Sequence, residues 1–375
     1  MPFHTSRKVV RKGRGLYKGP DGRHSSGMKN GINTPPVGLE SGPVAASASL
    51  PVALLQHKDY DDPDLGRAVG EVMDAARLTE LCPLRPGARV LVKPNLLLAK
   101  PLACASPQVV AAVCAWLMDH GARVRVADSP GFGRAASVAR AVGLEAALRP
   151  LGLEVEEVGP AEPVPLPLGG EAAQKAGLQA GGSRFHVARL ALESDFIVSV
   201  PRVKAHAQML VTLSVKNCFG CVRGLHKAFA HAREGRDPLF FADCLAALWA
   251  ALPPVAAVAD GVTAMHVTGP SNGSPFALGV VGASASAVAL DEALYAILGL
   301  APQDVPLGAA LCRRRAWGSA TAEEHDGVRA VFPLRPPADF SSAGFQLPAE
   351  LSHTSFHPAR FVHSCFRRIV AAFRK

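Results

Sequence analysis

The stretch that decides the fold is residues 88–127, ARVLVKPNLLLAKPLACASPQVVAAVCAWLMDHGARVRVA. Its two ends, Ala88–Val92 and Ala122–Ala127, have the largely apolar character of buried strands, and Pro107–His120 between them is predicted to be a helix. A strand, a crossing helix and a second strand in this order predict two neighbouring parallel strands with the helix on one face of the sheet.

The same alternation continues along the chain, which places the protein in the α/β class. We predict a mostly parallel sheet with helices on both faces, divided into two lobes. A proline- and glycine-rich stretch, residues 159–182, interrupts the pattern and is predicted to be a loop or a hairpin insertion. The further predicted elements are strands at 153–158, 196–200, 255–259 and 276–282 and helices at 134–142, 240–252 and 285–298.

Charge separates the chain into a near-neutral body and two basic tails. The 375 residues carry a formal net charge of +9, of which residues 1–45 contribute +6 and residues 360–375 contribute +5, so the remainder is close to −2. The basic total is therefore no evidence for a nucleic-acid-binding fold. We predict four regions: a disordered basic arm at 1–45, an α/β body at 46–300, an irregular extension at 301–357 and a basic amphipathic helix at 358–375.

The tails determine which anionic partners the chain can attract. Nucleic acid is expected to bind the N-terminal arm non-specifically and in a salt-dependent way, because the body lacks a basic face studded with aromatic residues. Two alternatives stay open for the C-terminal helix: it docks on the body, or it lies on an anionic membrane surface. A homodimer is a further alternative, in which a second subunit would complete a site.

The cysteines and the terminal segments bear on the cellular location. The eight cysteines are scattered and lie mostly in apolar segments, unlike a disulfide framework. The N-terminal residues have neither the apolar stretch of a secretory signal nor a twin arginine. The longest apolar run, residues 245–259, is shorter than the ~20 residues that span a bilayer. These features predict a cytoplasmic protein.

Polar residues and glycines follow the first two predicted strands. Lys93 and Asn95 come after one strand, and Ser129, Gly131 and Gly133 come after the next. Ligands of open parallel sheets bind at the carboxyl ends of the strands, and glycines there let the backbone approach an anion. These residues are therefore predicted to bind a ligand. A solvated lysine and a tight structural turn are the alternative interpretation.

The densest group of candidate residues lies between positions 200 and 231 and comprises Lys204, His206, Lys216, Asn217, Lys227 and His231. Lysines held close together lower each other's pKa, so they can pair with phosphate or carboxylate groups and can act as bases. A histidine can carry protons near neutral pH. We predict catalytic roles for Lys204, His206 and Lys216, and ligand-binding roles for the other three.

An iron–sulfur cluster or a divalent metal ion is the alternative cofactor. Cys218 and Cys221 form a Cys-x-x-Cys motif, which suits a redox pair or half of a metal site. Asp260 and Asp291 could hold a divalent cation or orient the lysines. Buried thiols and carboxylates that cap a turn and a helix explain the same four residues without a metal.

Taken together, several short motifs resemble domain-of-unknown-function family 362 over roughly residues 88–300. They are VLVKPN at 90–95, ADSPG at 127–131, VPRVKAH at 200–206, LSVKNCFG at 213–220, and ADGV, GPSNG and ALD between 259 and 291. The resemblance implies an uncharacterised protein of a family often described as iron–sulfur proteins, because many members carry a ferredoxin-like run of four cysteines. This chain has no such run, and the family is usually apolar at positions 218 and 221.

The polar positions shared with the family survive in this chain: Lys93, Asn95, Lys204, His206, Lys216, Asn217, Asp260 and Asp291. We expect a small anionic ligand to bind in a cleft lined by the three lysines, with His206 as proton carrier. The sequence leaves open whether the protein is an enzyme and which reaction it would catalyse. The alternative is an electron-transfer or metal-handling protein that uses Cys218 and Cys221.

Overall fold

A computed structural model describes residues 49–168, 183–316 and 329–352. Within these ranges the chain forms thirteen strands and eleven α-helices. The predicted basic arm at 1–45 and the predicted amphipathic helix at 358–375 lie outside the described residues. The predicted extension at 301–357 differs from expectation where it is described, because it contains a helix and a strand that joins the sheet.

The strands are β1 Ser49–Gln56, β2 Arg89–Pro94, β3 Arg123–Asp128, β4 Val155–Glu157, β5 Ala161–Pro165, β6 Arg184–Ala188, β7 Phe196–Val200, β8 Arg202–His206, β9 Leu210–Thr212, β10 Val255–His266, β11 Ser274–Phe276, β12 Val280–Ser284 and β13 Arg329–Val331. The helices are α1 Leu65–Ala75, α2 Leu78–Leu81, α3 Pro107–Asp119, α4 Ala135–Ala141, α5 Leu144–Leu148, α6 Arg189–Leu192, α7 Ser214–Asn217, α8 Gly224–Arg233, α9 Pro238–Ala250, α10 Ala287–Ile297 and α11 Pro306–Ala316.

The main sheet has the strand order β13-β1-β12-β10-β7-β2-β3-β4. The five strands from β10 to β4 are parallel, whereas β12 runs antiparallel to both β10 and β1. The predicted α/β class and mostly parallel sheet are therefore confirmed, with an antiparallel strand near one edge. The predicted division into two lobes is not confirmed.

Helices pack on both faces of this sheet because its central strands are apolar on both sides. Along β2, Val90 and Val92 belong to the cluster that contains α1, α3, α4 and α5, whereas Leu91 belongs to the cluster that contains α9, α10 and α11. Successive side chains of a strand point to opposite faces, so each face has its own core. A continuous apolar run is what a doubly covered strand requires.

The main helices begin where the sequence provides a cap. Ser106 accepts a hydrogen bond from the backbone N–H of Val109 at the start of α3, and Pro107 occupies the first turn, where its missing N–H costs nothing. Asp237 caps α9 in the same way, followed by Pro238. The prediction for α9 began two residues late because it followed the apolar pattern and overlooked this cap.

A break in one strand shapes the region where the candidate residues lie. Strands β7 and β8 are separated by Pro201 and both pair in parallel with the long strand β10, whose register shifts between Asp260 and Met265. Asp260 was predicted to leave a strand into a turn, and this prediction is wrong. It lies inside β10, is fully buried, and donates its backbone N–H to the Pro201 carbonyl at 2.9 Å.

None of the helices in the described part of the chain is both long enough and apolar enough to cross a membrane.

Candidate functional site

The carboxyl ends of β2 and β3 are joined by a buried ion pair. The Lys93 ammonium lies 2.8 Å from a carboxylate oxygen of Asp128, and both side chains are almost fully buried. Lys93 also donates to the Asn217 amide oxygen at 3.1 Å and to the Pro94 carbonyl at 2.7 Å. The ammonium therefore has two hydrogen-bond acceptors and an opposite charge beside it, which together permit a charged lysine in the interior.

Asn217 connects this ion pair to the neighbouring strand. Its amide nitrogen donates to the Lys93 carbonyl at 2.9 Å and to the Ser199 hydroxyl at 3.1 Å. Its amide oxygen also accepts from the Asn95 amide at 3.2 Å. Asn217 thus ties β2, β7 and α7 together, and its predicted role in ligand binding remains a prediction.

Lys204 lies on the other side of Asn95 and has no carboxylate as a hydrogen-bond acceptor among the described residues. Its ammonium donates to the Asn95 amide oxygen at 2.7 Å and to the Ala103 carbonyl at 2.6 Å, which are both neutral acceptors. Desolvation by burial lowers the pKa of Lys204 to about 7, and the neighbouring Lys216 contributes to the shift. Near neutral pH this side chain can therefore gain or lose a proton.

Helix α7, which carries Lys216, is held in place by Asp291 on α10. The two carboxylate oxygens of Asp291 accept the backbone N–H groups of Ser214 at 2.7 Å and Val215 at 3.0 Å. Burial raises the pKa of Asp291 to about 7, while these hydrogen bonds oppose the rise. Asp291 therefore positions the lysine-bearing helix, and both of its oxygens are engaged in doing so.

Lys216 is the most open of the three lysines predicted to line the cleft. Solvent reaches part of its side chain, whereas Lys93 and Lys204 are each only 1% exposed. No acceptor within the described ranges lies at hydrogen-bonding distance from its amine. Desolvation by burial, with a smaller contribution from the charge of Lys227, lowers the pKa of Lys216 to about 7. Near neutral pH a substantial fraction of this amine is therefore uncharged.

Two histidines face the same group of lysines. The Nδ1 atom of His206 accepts the backbone N–H groups of Gln208 at 3.1 Å and Met209 at 3.2 Å, so a neutral ring carries its proton on Nε2. Burial lowers the pKa of His206 well below its ordinary value. Burial, with Lys216 and Lys227 nearby, also lowers the pKa of His231 to about 3. Both rings are therefore neutral at pH 7.

The residues after β3 form a packed turn next to α8. The Ser129 hydroxyl accepts the backbone N–H of Gly224 at 2.9 Å, and its carbonyl accepts the Lys227 ammonium. At Gly131 an added Cβ would lie 2.9 Å from the Leu97 side chain, and Gly133 has a φ of +87°. Packing at Gly131 and backbone conformation at Gly133 thus explain why glycine occupies both positions. Their contact with a ligand remains a prediction.

A second buried polar group, which we call the Arg202 network, comprises Arg202, Asp260, Tyr60 and the backbone N–H of Ser106. The Arg202 guanidinium lies 3.3 Å from an Asp260 carboxylate oxygen and also contacts the Tyr60 hydroxyl. Asp260 accepts the Tyr60 hydroxyl and the Ser106 N–H at 2.6 Å each. The carboxylate predicted to hold a metal is therefore matched by an arginine and two hydrogen-bond donors.

The donor set fits poorly with an iron–sulfur cluster or a metal ion. Burial raises the pKa of Cys221 to about 11 and that of Cys218 well above its ordinary value, which disfavours the thiolates that a metal requires. No group of three or more His, Cys, Asp or Glu side chains suited to a metal occurs within 49–168, 183–316 and 329–352. Asp260 and Asp291, the other two predicted metal ligands, have separate partners.

Gly220, between the two cysteines, explains part of the motif. A Cβ added there would lie 2.2 Å from both an Asp128 oxygen and the Lys93 Cε atom. A side chain at this position would displace the buried ion pair, so the turn at Cys218–Cys221 needs glycine for packing. Buried thiols, the simpler of the two interpretations of these cysteines, agree with this arrangement.

Sequence patterns alone indicated no role for Asp128, Arg202, Tyr60 or Gly220. Asp128 directly precedes Ser129, and Arg202 lies two residues before Lys204, so both belong to motifs that the sequence had already singled out. A search for a carboxylate partner for each lysine could have found Asp128. Tyr60 precedes the first recognised strand, and nothing in its local sequence indicates contact with β10.

Comparisons with known proteins agree with the resemblance noted from the motifs. A family model described as Domain of unknown function (DUF362) matches residues 90–296, more than half of the chain. Thylakoid-associated protein sll1697 of Synechocystis sp. is 32% identical over 295 residues, which cover 78% of this chain and 86% of that protein. A crystal structure of a Thermotoga maritima protein shares 14% identity over 57% of this chain and 53% of that chain, with a TM-score of 0.35. The family match and the curated relative together show that this chain belongs to the DUF362 family.

Proposed function

We propose that the protein binds a small anionic ligand at a group of five basic side chains, which we call the base cluster: Lys204, His206, Lys216, Lys227 and His231. The cluster lies at the carboxyl end of the parallel strands, around β8, α7 and α8. This edge is where open α/β sheets bind their ligands. An enzymatic role is compatible with the site, and the substrate class is that of small carboxylates or phosphates.

The observation that carries the proposal is that, among the described residues, neither Lys204 nor Lys216 has a carboxylate at hydrogen-bonding distance. The charge of Asp128 partly opposes the lowering of the Lys204 pKa, but Asp128 forms its close ion pair with Lys93. In addition to burial, Lys227 lowers the pKa of Lys216, and Lys216 and Lys227 both lower the pKa of His231. Burying bases together costs stability, and an anion bound among them would recover that cost. The arrangement is therefore suited to binding an anion.

Binding would also change the protonation of the cluster. Since the pKa of Lys204 and that of Lys216 are each about 7 without a ligand, an anion beside them would favour their charged forms. We expect proton uptake on binding at pH 7 to 8, which calorimetry in buffers of different ionisation enthalpy can measure. Binding should accordingly weaken as the pH rises above about 7.

The test is a thermal-shift screen of the full chain with inorganic phosphate, acetate, oxalate, malonate and pyruvate. At least one anion should stabilise the wild-type protein, and Lys204→Ala and Lys216→Ala should reduce that stabilisation. Lys58→Ala is the matched control, because Lys58 is an exposed lysine outside the cluster. If both cluster variants respond to every anion as the wild type does, the proposal fails.

We also propose that the basic C-terminal residues 358–375 bind an anionic membrane surface while the body stays on the cytoplasmic side. Their apolar and basic residues alternate at helical spacing, and the Synechocystis relative is named thylakoid-associated. Co-sedimentation with vesicles that contain an anionic lipid should be lost when residues 359–375 are deleted. Equal sedimentation of the full and the shortened chain would contradict this.

A further inference from the structure

We propose that Lys216 forms an imine with the carbonyl group of a small ketone- or aldehyde-bearing carboxylic acid, such as a 2-oxo acid. This inference rests on the proposed anion site and assigns it a substrate class. The carboxylate of the ligand would be held at Lys227, with the charge of the buried Lys204 attracting it over a longer distance, and its carbonyl carbon would then lie beside the Lys216 amine.

The other lysines of the region are engaged in ways that Lys216 is not. Lys93 donates to Asn217 and Pro94 and forms an ion pair with Asp128. Lys204 donates to two acceptors and is almost fully buried. Within the described part of the chain, the Lys216 amine has no acceptor at hydrogen-bonding distance, and solvent reaches part of its side chain. Lys216 is thus the amine that a ligand can approach.

Lys227 is anchored by two contacts. Its ammonium donates to the Ser129 carbonyl and lies 5.6 Å from the centre of the Phe219 ring. Phe219 follows Lys216 by three residues, and its ring also contacts His231 edge-on, with 5.2 Å between centroids. Lys227 and His231 are therefore fixed around one aromatic ring close to Lys216, which gives the cluster a defined geometry.

The chemistry of Lys216 agrees with this geometry. Lysines that form imines are desolvated or lie beside another cation, because either condition leaves the amine uncharged and nucleophilic near pH 7. Lys216 has both conditions, and its lowered pKa follows from burial first and from Lys227 second. Lys58 is exposed and lacks this desolvation, so it serves as the reference amine in the experiment below.

The step balances within the amine and the carbonyl compound. The lone pair of the Lys216 amine attacks the carbonyl carbon, the C–N bond forms, and the oxygen takes up a proton to give a carbinolamine. The C–O bond then breaks and the oxygen leaves as water, having gained both protons that the amine lost. The neutral His206 ring can donate a hydrogen bond from Nε2 to the carbonyl oxygen and does not need to give up its proton.

The experiment traps the imine with sodium cyanoborohydride, using pyruvate as the probe. The full chain should gain the mass of one carboxyethyl group, and peptide mapping should place that group on Lys216. At pH 7.5 we expect modification of Lys216 to be faster than that of Lys58 by at least about tenfold. Acetone, which has the carbonyl group without the carboxylate, should give much less modification.

Two variants and one binding measurement separate the possible outcomes. Lys216→Met should abolish the specific modification, while Lys58→Met should retain it. Because the modified position is read from the wild-type chain, the result does not depend on the variants folding. If pyruvate stabilises the wild-type protein but modification is spread over surface lysines, the imine inference is overturned and the anion site stands. If no anion in the thermal-shift screen binds to the cluster, the proposed function fails as well.

Discussion

Two basic residues on strand β8, two positions apart, are buried in opposite ways. Arg202 is 4% exposed and lies against the Asp260 carboxylate, with Tyr60 completing the Arg202 network. Lys204 is 1% exposed and donates to the neutral oxygens of Asn95 and Ala103. A buried charge with a matched counter-charge maintains the fold, because removing either partner leaves the other unpaired. A buried base without one is costly, which is typical of sites that bind or react.

The largest expected effect comes from Asp260→Asn, which breaks the buried ion pair between Arg202 and Asp260. The substitution keeps the shape of the side chain but leaves the Arg202 charge buried without a carboxylate, so we expect a loss of about 3–5 kcal/mol in the free energy of unfolding. Urea denaturation measures it. Glu71→Gln, which removes an exposed partner of Arg67, is the control and should leave the midpoint unchanged. A wild-type midpoint for Asp260→Asn would contradict the structural role of the Arg202 network.

A second variant, Gly220→Ala, tests the buried ion pair of Lys93 and Asp128. The added methyl group would meet both side chains at 2.2 Å, and neither can move far without losing its partner. We expect a cost of about 1–3 kcal/mol or more from overpacking, measured by thermal and urea unfolding. Gly66→Ala is the matched control, because a Cβ there meets nothing within 4 Å and alanine favours the helix α1. Equal stability of the two variants would show that the ion pair can shift freely.

Tyr60→Phe sharpens the comparison by removing one hydroxyl from the Arg202 network. The hydroxyl donates to Asp260 and accepts from the Thr263 backbone N–H at 2.9 Å. Burial and Asp260 both raise the pKa of Tyr60, so the phenol remains a donor throughout the physiological range. We expect a loss of about 1–2 kcal/mol in the free energy of unfolding, less than for Asp260→Asn, since the ion pair survives. If Tyr60→Phe lost more stability than Asp260→Asn, the ion pair would not be the main stabilising interaction of the Arg202 network.

The last expected effect is a gain in stability, and it concerns Lys216 of the base cluster. Lys216→Met removes a desolvated amine while keeping the length of the side chain, so the variant should be more stable than the wild type at pH 7 and below, where protonation of the buried amine opposes folding. It should nevertheless lose the stabilisation by anions. A variant that is destabilised at pH 7 and still binds anions would contradict the contrast between the two regions.

The difference in stability between Lys216→Met and the wild type should depend on pH, because folding changes the pKa of Lys216. Burial lowers the pKa of Lys216 from 10.5 to about 7, so between these values the unfolded chain holds a proton that the native chain does not. The contribution of Lys216 to the free energy of unfolding therefore rises with pH above 7. The advantage of Lys216→Met should be greatest at and below pH 7 and should shrink by pH 9. Urea denaturation of both proteins at pH 6.5, 7.5 and 9 measures this trend.

Much of the fold could be predicted from local patterns. The strand and helix at 88–92 and 107–120 correspond to β2 and α3, because apolar runs and the Ser106-Pro107 cap are features of the local sequence. The strand predicted at 276–282 is displaced from β12, since the sheet pairs Val280–Ser284 with both β1 and β10. Pairing with distant strands sets those bounds, and short-range periodicity does not contain that information.

The candidate site was likewise predictable from the sequence only in part. Lys93, Asn95, Lys204 and Asn217 were expected at one edge of the sheet, and the structure brings them into one hydrogen-bonded group. Their function as a ligand site remains a prediction. The sequence did not show that Asp291, 77 residues after Ser214, would hold the helix that carries Lys216.

By itself, the amino-acid sequence determined the α/β class and the position of basic residues at strand ends. These follow from the period of the side chains and from where apolar runs stop, both of which are local properties. Only the tertiary structure decided which buried charges are paired. Arg202 meets Asp260 across 58 positions and Lys204 meets no carboxylate at hydrogen-bonding distance in the described residues. Desolvation and Coulomb attraction depend on what surrounds a group in space, so the same residue type stabilises the fold at one position and, in the proposal above, serves ligand binding two residues later.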